Sequence, residues 1–200
     1  MNNYDIVCRP IVPSDWPAIE RLFGANGACG GCWCMLWRVP SLGRYWESAK
    51  GERNRASFRK LVETGEALGC LACIDDEPVG WCGVGPREHY PYLQRSRTIP
   101  APNIDNVWCV SCFFIARRWR GEGIAGHLLT TALAYSRSAG AAALEGYPTV
   151  PKSATKPIPP AFAHTGVPQL FELAGFKWVH DIGARQVWRS RFDRADRRRR

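Results

Sequence analysis

Asn106-Val107-Trp108-Cys109-Val110-Ser111-Cys112-Phe113-Phe114-Ile115 is the stretch on which the reading of the fold turns. Ala116 follows it, then Arg117-Arg118-Trp119-Arg120-Gly121-Glu122-Gly123-Ile124-Ala125. The first part is apolar on both faces, the pattern of a strand inside a sheet. Beyond the glycines, Ile124, Ala125, Leu128, Leu129, Ala132 and Leu133 form one stripe at helical spacing, and Gly140 follows its end. The stretch therefore predicts a central strand over 106–115 feeding a long helix over 121–138. Two glycines at the helix mouth allow a tight turn and present free N–H groups. With the positive end of the helix dipole these make an anion cradle, and a pyrophosphate suits it. Arg117, Arg118 and Arg120 add positive charge at the rim. A P-loop is excluded because no Gly-Lys-Ser/Thr follows, and a dinucleotide fold because the third glycine and the downstream acid are missing.

Working outward, Tyr4–Arg9 alternates as a strand. Ser14-Asp15-Trp16-Pro17 opens a helix with an apolar face of Ile19, Leu22 and Phe23, stopped by Gly24. Gly27–Arg38 reads as a Gly- and Cys-rich loop, and Glu52–Thr64 as a second helix before Gly65. Ala67–Ile74 and Pro78–Val84 flank Asp75-Asp76-Glu77 as a hairpin. After the long helix come a short strand (Ala142–Tyr147), a proline-rich loop (Pro148–Pro160), a short helix (Val167–Ala174) and a closing strand pair (Phe176–His180, Ala184–Arg191). No repeat and no linker interrupts this order. It is one mixed α/β domain, α+β in detail, with a mostly antiparallel central sheet flanked by helices. The domain is placed at 1–190, and 191–200 is read as a basic, disordered tail.

The 200 residues suffice for a core without disulfide staples. With 46% hydrophobic and 22% charged residues the chain is not a disordered one. No apolar run approaches the length of a membrane span. The opening Met1-Asn2-Asn3-Tyr4-Asp5 has neither region of a signal peptide, so the expectation is a cytoplasmic protein. Nine cysteines, an odd number, then read as reduced thiols. Of the net charge of +9, the last ten residues (six Arg, two Asp) carry +4, leaving +5 on the body. That balance suits a polyanionic small molecule. The basic tail can also meet nucleic acid, but no recognisable motif supports such a partner.

Here the residues resemble a known family. Arg120-x-x-Gly123-x-Ala125 after a strand is similar to the R/Q-x-x-G-x-G/A signature of the GNAT superfamily of acetyl-CoA-dependent N-acetyltransferases. Leu170-Phe171-Glu172-Leu173-Ala174-Gly175-Phe176 resembles the family's late L-Y-x-x-x-G-F helix and strand. The resemblance implies a sheet that opens into a V beside the central strand and acetyl-CoA as co-substrate, with no metal. It also implies that the backbone of Phe113, Phe114 and Ile115 pairs with the pantetheine arm like an added strand. The amides of Arg120, Gly121, Glu122, Gly123, Ile124, Ala125 and Gly126 would then hold the pyrophosphate. Phe171 stands where the family often has a Tyr acid, and it cannot donate a proton. His164 falls where the family often has an Asn.

Acyl transfer to an amine needs a neutral amine, a donor for the oxyanion and an outlet for charge on sulfur. Glu145, on the strand next to the cofactor slot, is the candidate base, although a salt-bridged glutamate reads equally well there. His164, Tyr147 and Cys112 are the candidate substitutes for the missing Tyr. Cys29-Gly30-Gly31-Cys32-Trp33-Cys34 offers a C-x-x-C with a third thiol, but no fourth ligand for zinc is visible. Cys70/Cys73 and Cys109/Cys112 lie in strands, where residues three apart point to opposite faces. The loop instead reads as a wall of the acceptor site, with Trp33, Cys34 and Trp37 as candidate substrate contacts. The same residues also suit a local hydrophobic cluster. Tyr90, within the inserted Pro86–Arg97 segment, belongs to a candidate lid. The expected reaction is acetyl transfer to the primary amine of a small molecule by direct attack in a ternary complex. A protein or peptide acceptor and a non-catalytic acyl-CoA-binding thiol or metal sensor are the alternatives, and a homodimer stays open.

Overall fold

The computed structural model of the chain describes residues 4–39, 44–151, 158–159 and 163–192. The tail from 193 on, and 152–157 and 160–162 of the proline-rich loop, lie outside the described residues. Seven strands form one sheet: β1 Ile6–Pro10, β2 Gly69–Ile74, β3 Glu77–Pro86, β4 Val107–Ile115, β5 Ala143–Gly146, β6 Lys177–Ile182 and β7 Arg185–Arg191. They lie in the order β1-β2-β3-β4-β5-β7-β6, so the strand quoted first is the middle one of seven. Five of the six pairings are antiparallel and only β4–β5 is parallel. The β2–β3 hairpin turns on Asp75 and Asp76, both at positive φ (48° and 62°), the geometry a two-residue turn demands.

The helices are α1 Trp16–Phe23, α2 Arg44–Ala49, α3 Glu52–Glu63, α4 Pro91–Arg95, α5 Ile124–Ser138 and α6 Pro168–Leu173. The apolar stripe of α5 (Ile124, Leu128, Leu129, Ala132) packs on one face of the sheet against Val79, Cys82, Val110 and Phe113. The other face is covered by α1, α3 and the Gly–Cys loop, around Phe23, Trp33, Phe58 and Trp81. Asp15 stands just before α1 and ties the chain leading into it: its carboxylate accepts the Val12 amide (2.8 Å) and pairs with Arg9 (2.6 Å). That contact draws the Asp15 carboxyl below its ordinary range.

Two departures from strict alternation matter for the site. A bulge on β4 puts an extra residue, Ser111, between the pairs Gly83↔Cys112 and Val84↔Val110. Alternation places Cys109 and Cys112 on opposite faces, and the bulge corrects this. Both thiols lie opposite α5, Cys109 against Trp37 and Tyr147 and Cys112 in the α1/α3 cluster. Cys70 and Cys73 do point to opposite faces. The second departure is length. β5 pairs with β4 only from Val107↔Ala143 to Val110↔Gly146, whereas β4 continues to Ile115. Its far end has no strand neighbour on the β5 side, and the sheet opens there.

The inserted segment after β3 is not a lid. Tyr90 and Leu93 are buried, the Tyr92 amide donates to the Trp37 carbonyl (3.2 Å), and Arg38 donates to the Tyr90 hydroxyl (3.3 Å). Buried Arg87 ties the segment down by donating to the carbonyls of Leu93, Ile99 and Pro100. The insertion thus supports the Trp37 loop from behind.

Candidate active site

The mouth of α5 is built as its glycines demand. Gly121 and Gly123 have φ of 91° and 77°, so both lie in the region glycine favours. The Gly123 carbonyl takes the Gly126 and His127 amides (2.8 and 3.4 Å), and the Arg120 amide turns back toward Arg117 (3.5 Å). The five amides from Gly121 to Ala125 donate to no acceptor among the described residues. They open on a cavity of about 1110 Å³ floored by Gly121, Gly123, Ala125 and Gly126 and walled by Gln169, Leu170 and Leu173 of α6. The cradle is therefore narrower than its sequence suggests, since the Arg120 and Gly126 amides are spent internally. Glu122 does not line this cavity.

A second cavity, of about 560 Å³, lies where the sheet opens. It is lined by Ser111, Cys112, Phe113 and Phe114 of β4, by Cys34 and Trp37 of the loop, by Trp46 and Lys50 beside α2, and by His164 and Arg185. Arg120 lines both cavities and joins them. Its Nε donates to the Ile115 carbonyl (3.1 Å), which fixes the guanidinium at the junction. On the open edge of β4 the Phe113 amide already donates to the His164 carbonyl (2.6 Å). Phe171 fills the base of the opening. Its ring is fully buried against Phe113 and Phe176, and Gly146 and Gly166 approach it so closely that a Cβ at either would collide.

The candidate proton-transfer residues divide. Glu145 is buried with both oxygens engaged: Oε1 accepts two bonds from Arg189 (2.8 and 2.6 Å) and Oε2 accepts the Tyr147 hydroxyl (2.7 Å). Neither Glu145 nor Tyr147 lines the cavity. Burial pushes the Tyr147 hydroxyl further from ionisation. The salt-bridged alternative for Glu145 is what the structure holds, because β7 sets Arg189 directly beside it in register. His164 and Cys112 do line the cavity.

Cys34 is the residue whose setting most exceeds its sequence signal. The Trp81 indole donates to its Sγ (3.3 Å), and Ser111 Oγ and Cys34 Sγ crowd the bare Cα of Gly83, where a Cβ would meet them at 2.7 and 3.1 Å. The neighbouring Cys112, then the charge of Arg38, draws Cys34 below the ordinary thiol range against its burial. Cys112 moves the opposite way, held protonated by Cys34 beside it and by burial, and its thiol donates to the Phe113 carbonyl (3.6 Å). Cys32, by contrast, is pushed by burial up to about 12.

Of the candidate acceptor contacts, Cys34 and Trp37 reach the cavity. Trp33 packs beneath it on Trp16 and Phe23, and Tyr90 is core. Trp46, whose aromatic ring also suggests an acceptor pocket from the sequence, reaches the cavity too, whereas Ser111, Lys50 and Arg185 were not legible as site residues. No local pattern marks them, because α2, the bulge and the start of β7 meet only in three dimensions. Among the described residues no group of three or more His, Cys, Asp or Glu side chains is arranged to hold a metal ion. No described helix is long and apolar enough to cross a membrane.

A mixed sheet splayed beside a glycine-built anion cradle defines an acyl-carrier-binding transferase class, and comparison with known proteins agrees. The profile of the acetyltransferase (GNAT) family matches residues 36–152, and the chain belongs to that family. Similar solved structures include the PaiA N-acetyltransferase of Thermoplasma acidophilum in complex with coenzyme A. It is 13% identical, with 94% of this chain and 99% of that one covered and a TM-score of 0.54. An N-acetyltransferase of Staphylococcus aureus Mu50 is 13% identical over 94% and 98% of the two chains, with a TM-score of 0.54. A ribosomal-protein-alanine N-acetyltransferase of Brucella melitensis is 15% identical over 93% and 99%, with a TM-score of 0.53. At such identities the likeness is one of fold. No curated protein sequence matches the chain.

Proposed function

We propose that the protein transfers an acetyl group from acetyl-CoA to the primary amine of a small molecule, by direct attack in a ternary complex. The observation that carries this reading is Arg120, which lines both the amide cradle and the aromatic cavity beside the splayed strand. The pyrophosphate lies against the Gly121–Ala125 amides with Arg120 beside it, where a helix N-terminus favours negative charge. The pantetheine arm runs along the open edge of β4 beyond Val110 and replaces the His164 carbonyl at the Phe113 amide. A cavity of about 560 Å³ fits an enclosed small acceptor rather than a protein tail.

Proton transfer falls to groups that reach this cavity. Cys34, held toward thiolate, accepts the proton of the attacking amine. Cys112, held protonated, donates to the departing coenzyme A sulfur. Return of the proton from Cys34 to Cys112, both in the wall of the same cavity, restores the starting state. Because the coenzyme A thiolate is a stable anion near neutral pH, the loss of a Tyr at Phe171 is tolerable. The test is release of free thiol from acetyl-CoA with a panel of amines, read against Cys34→Ser and Cys112→Ser. Amine-dependent release that falls about a hundredfold or more in either variant, with acetyl-CoA binding retained, upholds the assignment. Release with no amine dependence would refute it.

A further inference from the structure

The charged Lys, Arg, Asp and Glu side chains around the acceptor cavity are all cations. Lys50, Arg120 and Arg185 line it, and among the described residues no Asp or Glu does. Arg38 stands behind the wall, bonded to the Tyr90 hydroxyl and to no carboxylate among the described residues. Glu145 is consumed by Arg189 and Tyr147. A polycationic acceptor entering here would shed water and meet three cations with no carboxylate among the described lining residues to offset them, which is a disfavoured arrangement.

The three lining cations are not equivalent. Lys50 is bridged to Glu47 (2.8 Å), and Arg120 sits at the cofactor junction. Arg185 has no ion pair among the described residues, yet it is well placed. It is the first residue of β7, paired with Ile182 and bridged to Thr149, and its guanidinium lies 5.8 Å over the Trp37 ring. A rigid backbone anchor and a guanidinium that rests on Trp37 but pairs with no carboxylate among the described residues, in the wall of an aromatic cavity, together describe a recognition site for a carboxylate on an aromatic or apolar body.

We infer that the acceptor is an amine of that kind, with its carboxylate received by Arg185 and its body held in the aromatic cavity bounded by Trp37, Trp46 and Phe114. This rests on the acetyl-transfer reading above and narrows its substrate class. The same positive surroundings hold the acceptor amine toward its neutral, nucleophilic form.

The test uses matched probes: phenylalanine, tryptophan and 4-aminobenzoate, each against its methyl ester, with spermidine as a polycation. Calorimetric binding to the full chain is measured for wild type and Arg185→Gln, with folding checked by circular dichroism. In at least one pair the carboxylate is expected to bind about tenfold or more tightly than its ester, with the gap closing in Arg185→Gln and spermidine not binding. No pair with such a gap, a gap that survives Arg185→Gln, or preferential binding of spermidine would overturn the inference. Thiol release is scored separately. A carboxylate preference without acetyl transfer upholds anion recognition and faults the acetyl-transfer reading. Acetyl transfer that favours spermidine does the reverse.

Discussion

Replacing Gly146 with Ala should damage the protein through one side chain. Gly146 is the last β5 residue paired with β4, and a Cβ there would lie 2.7 Å from Phe171 Cδ1 and closer still to Cε1 and Cζ. The ring has nowhere to go. Its centroid is 5.2 Å from that of Phe176 and 6.3 Å from that of Phe113, and Gly166 closes the far edge. Overpacking of this kind costs about 1–3 kcal/mol, and confinement puts the site at the upper end. The alanine recovers about 0.5–1 kcal/mol by restricting the unfolded chain, leaving a net loss near 2 kcal/mol. For a chain of this length that is about 4–8 °C in Tm. Phe171→Leu removes the ring edge, so Gly146→Ala made in that background should cost little or become favourable. Urea denaturation of the four proteins of the cycle measures the coupling, expected near 2 kcal/mol. An equal cost of Gly146→Ala in both backgrounds would refute the argument.

Three other outcomes are expected. Asp15→Asn should lose about 1 kcal/mol at pH 7, at the lower end for such a contact because Arg9 is half exposed. Since the folded carboxyl titrates below its unfolded value, that difference should persist above the carboxylate range and vanish as pH falls through it, as seen by comparing unfolding midpoints at pH 7 and 3. Alkylation mapped by mass spectrometry should modify Cys34 at lower pH than Cys32, whose burial holds it near 12, although both thiols line the same cavity. Equal pH midpoints would remove the case for Cys34 as the proton acceptor. Saturation with acetyl-CoA should speed hydrogen exchange in residues 163–167, as pantetheine takes the Phe113 amide from the His164 carbonyl, and unchanged or slower exchange would contradict that placement.

What the sequence revealed of this molecule followed how local each signal was. The Val107–Ile115 strand, the stripe of α5, the Asp75-Asp76 turn and the glycines of the cradle carry their own periodicity or backbone requirement, and each lies where its pattern puts it. Short α2 was missed because it follows a loop that reads as punctuation and buries only Ala49. The β4 bulge was invisible because Ser111 looks like any small strand residue, and with it went the shared face of Cys109 and Cys112. Glu145 was placed correctly on its strand, but its chemistry was decided by Arg189, 44 residues away. Loop position points to Trp33 and the insertion to Tyr90 as site residues, but burial decides otherwise, and they serve as the packing that holds Trp37 and Cys34 in position.

The central claim is that the mouth of α5 holds the cofactor pyrophosphate, and Gly126→Glu tests it directly. Gly126 lines the cradle with helical backbone and open space where a Cβ would go. A glutamate there should favour the helix, by about 0.5–1 kcal/mol from propensity and a further ~0.3–1 kcal/mol beside the positive end of the dipole. The same carboxylate would face the pyrophosphate, where like charge costs several kcal/mol. Calorimetric titration with acetyl-CoA should therefore show saturable one-to-one binding to wild type and binding weakened at least about a hundredfold in a Gly126→Glu protein whose Tm is equal or higher. Undiminished binding by that well-folded variant, or no binding by wild type, would contradict the account.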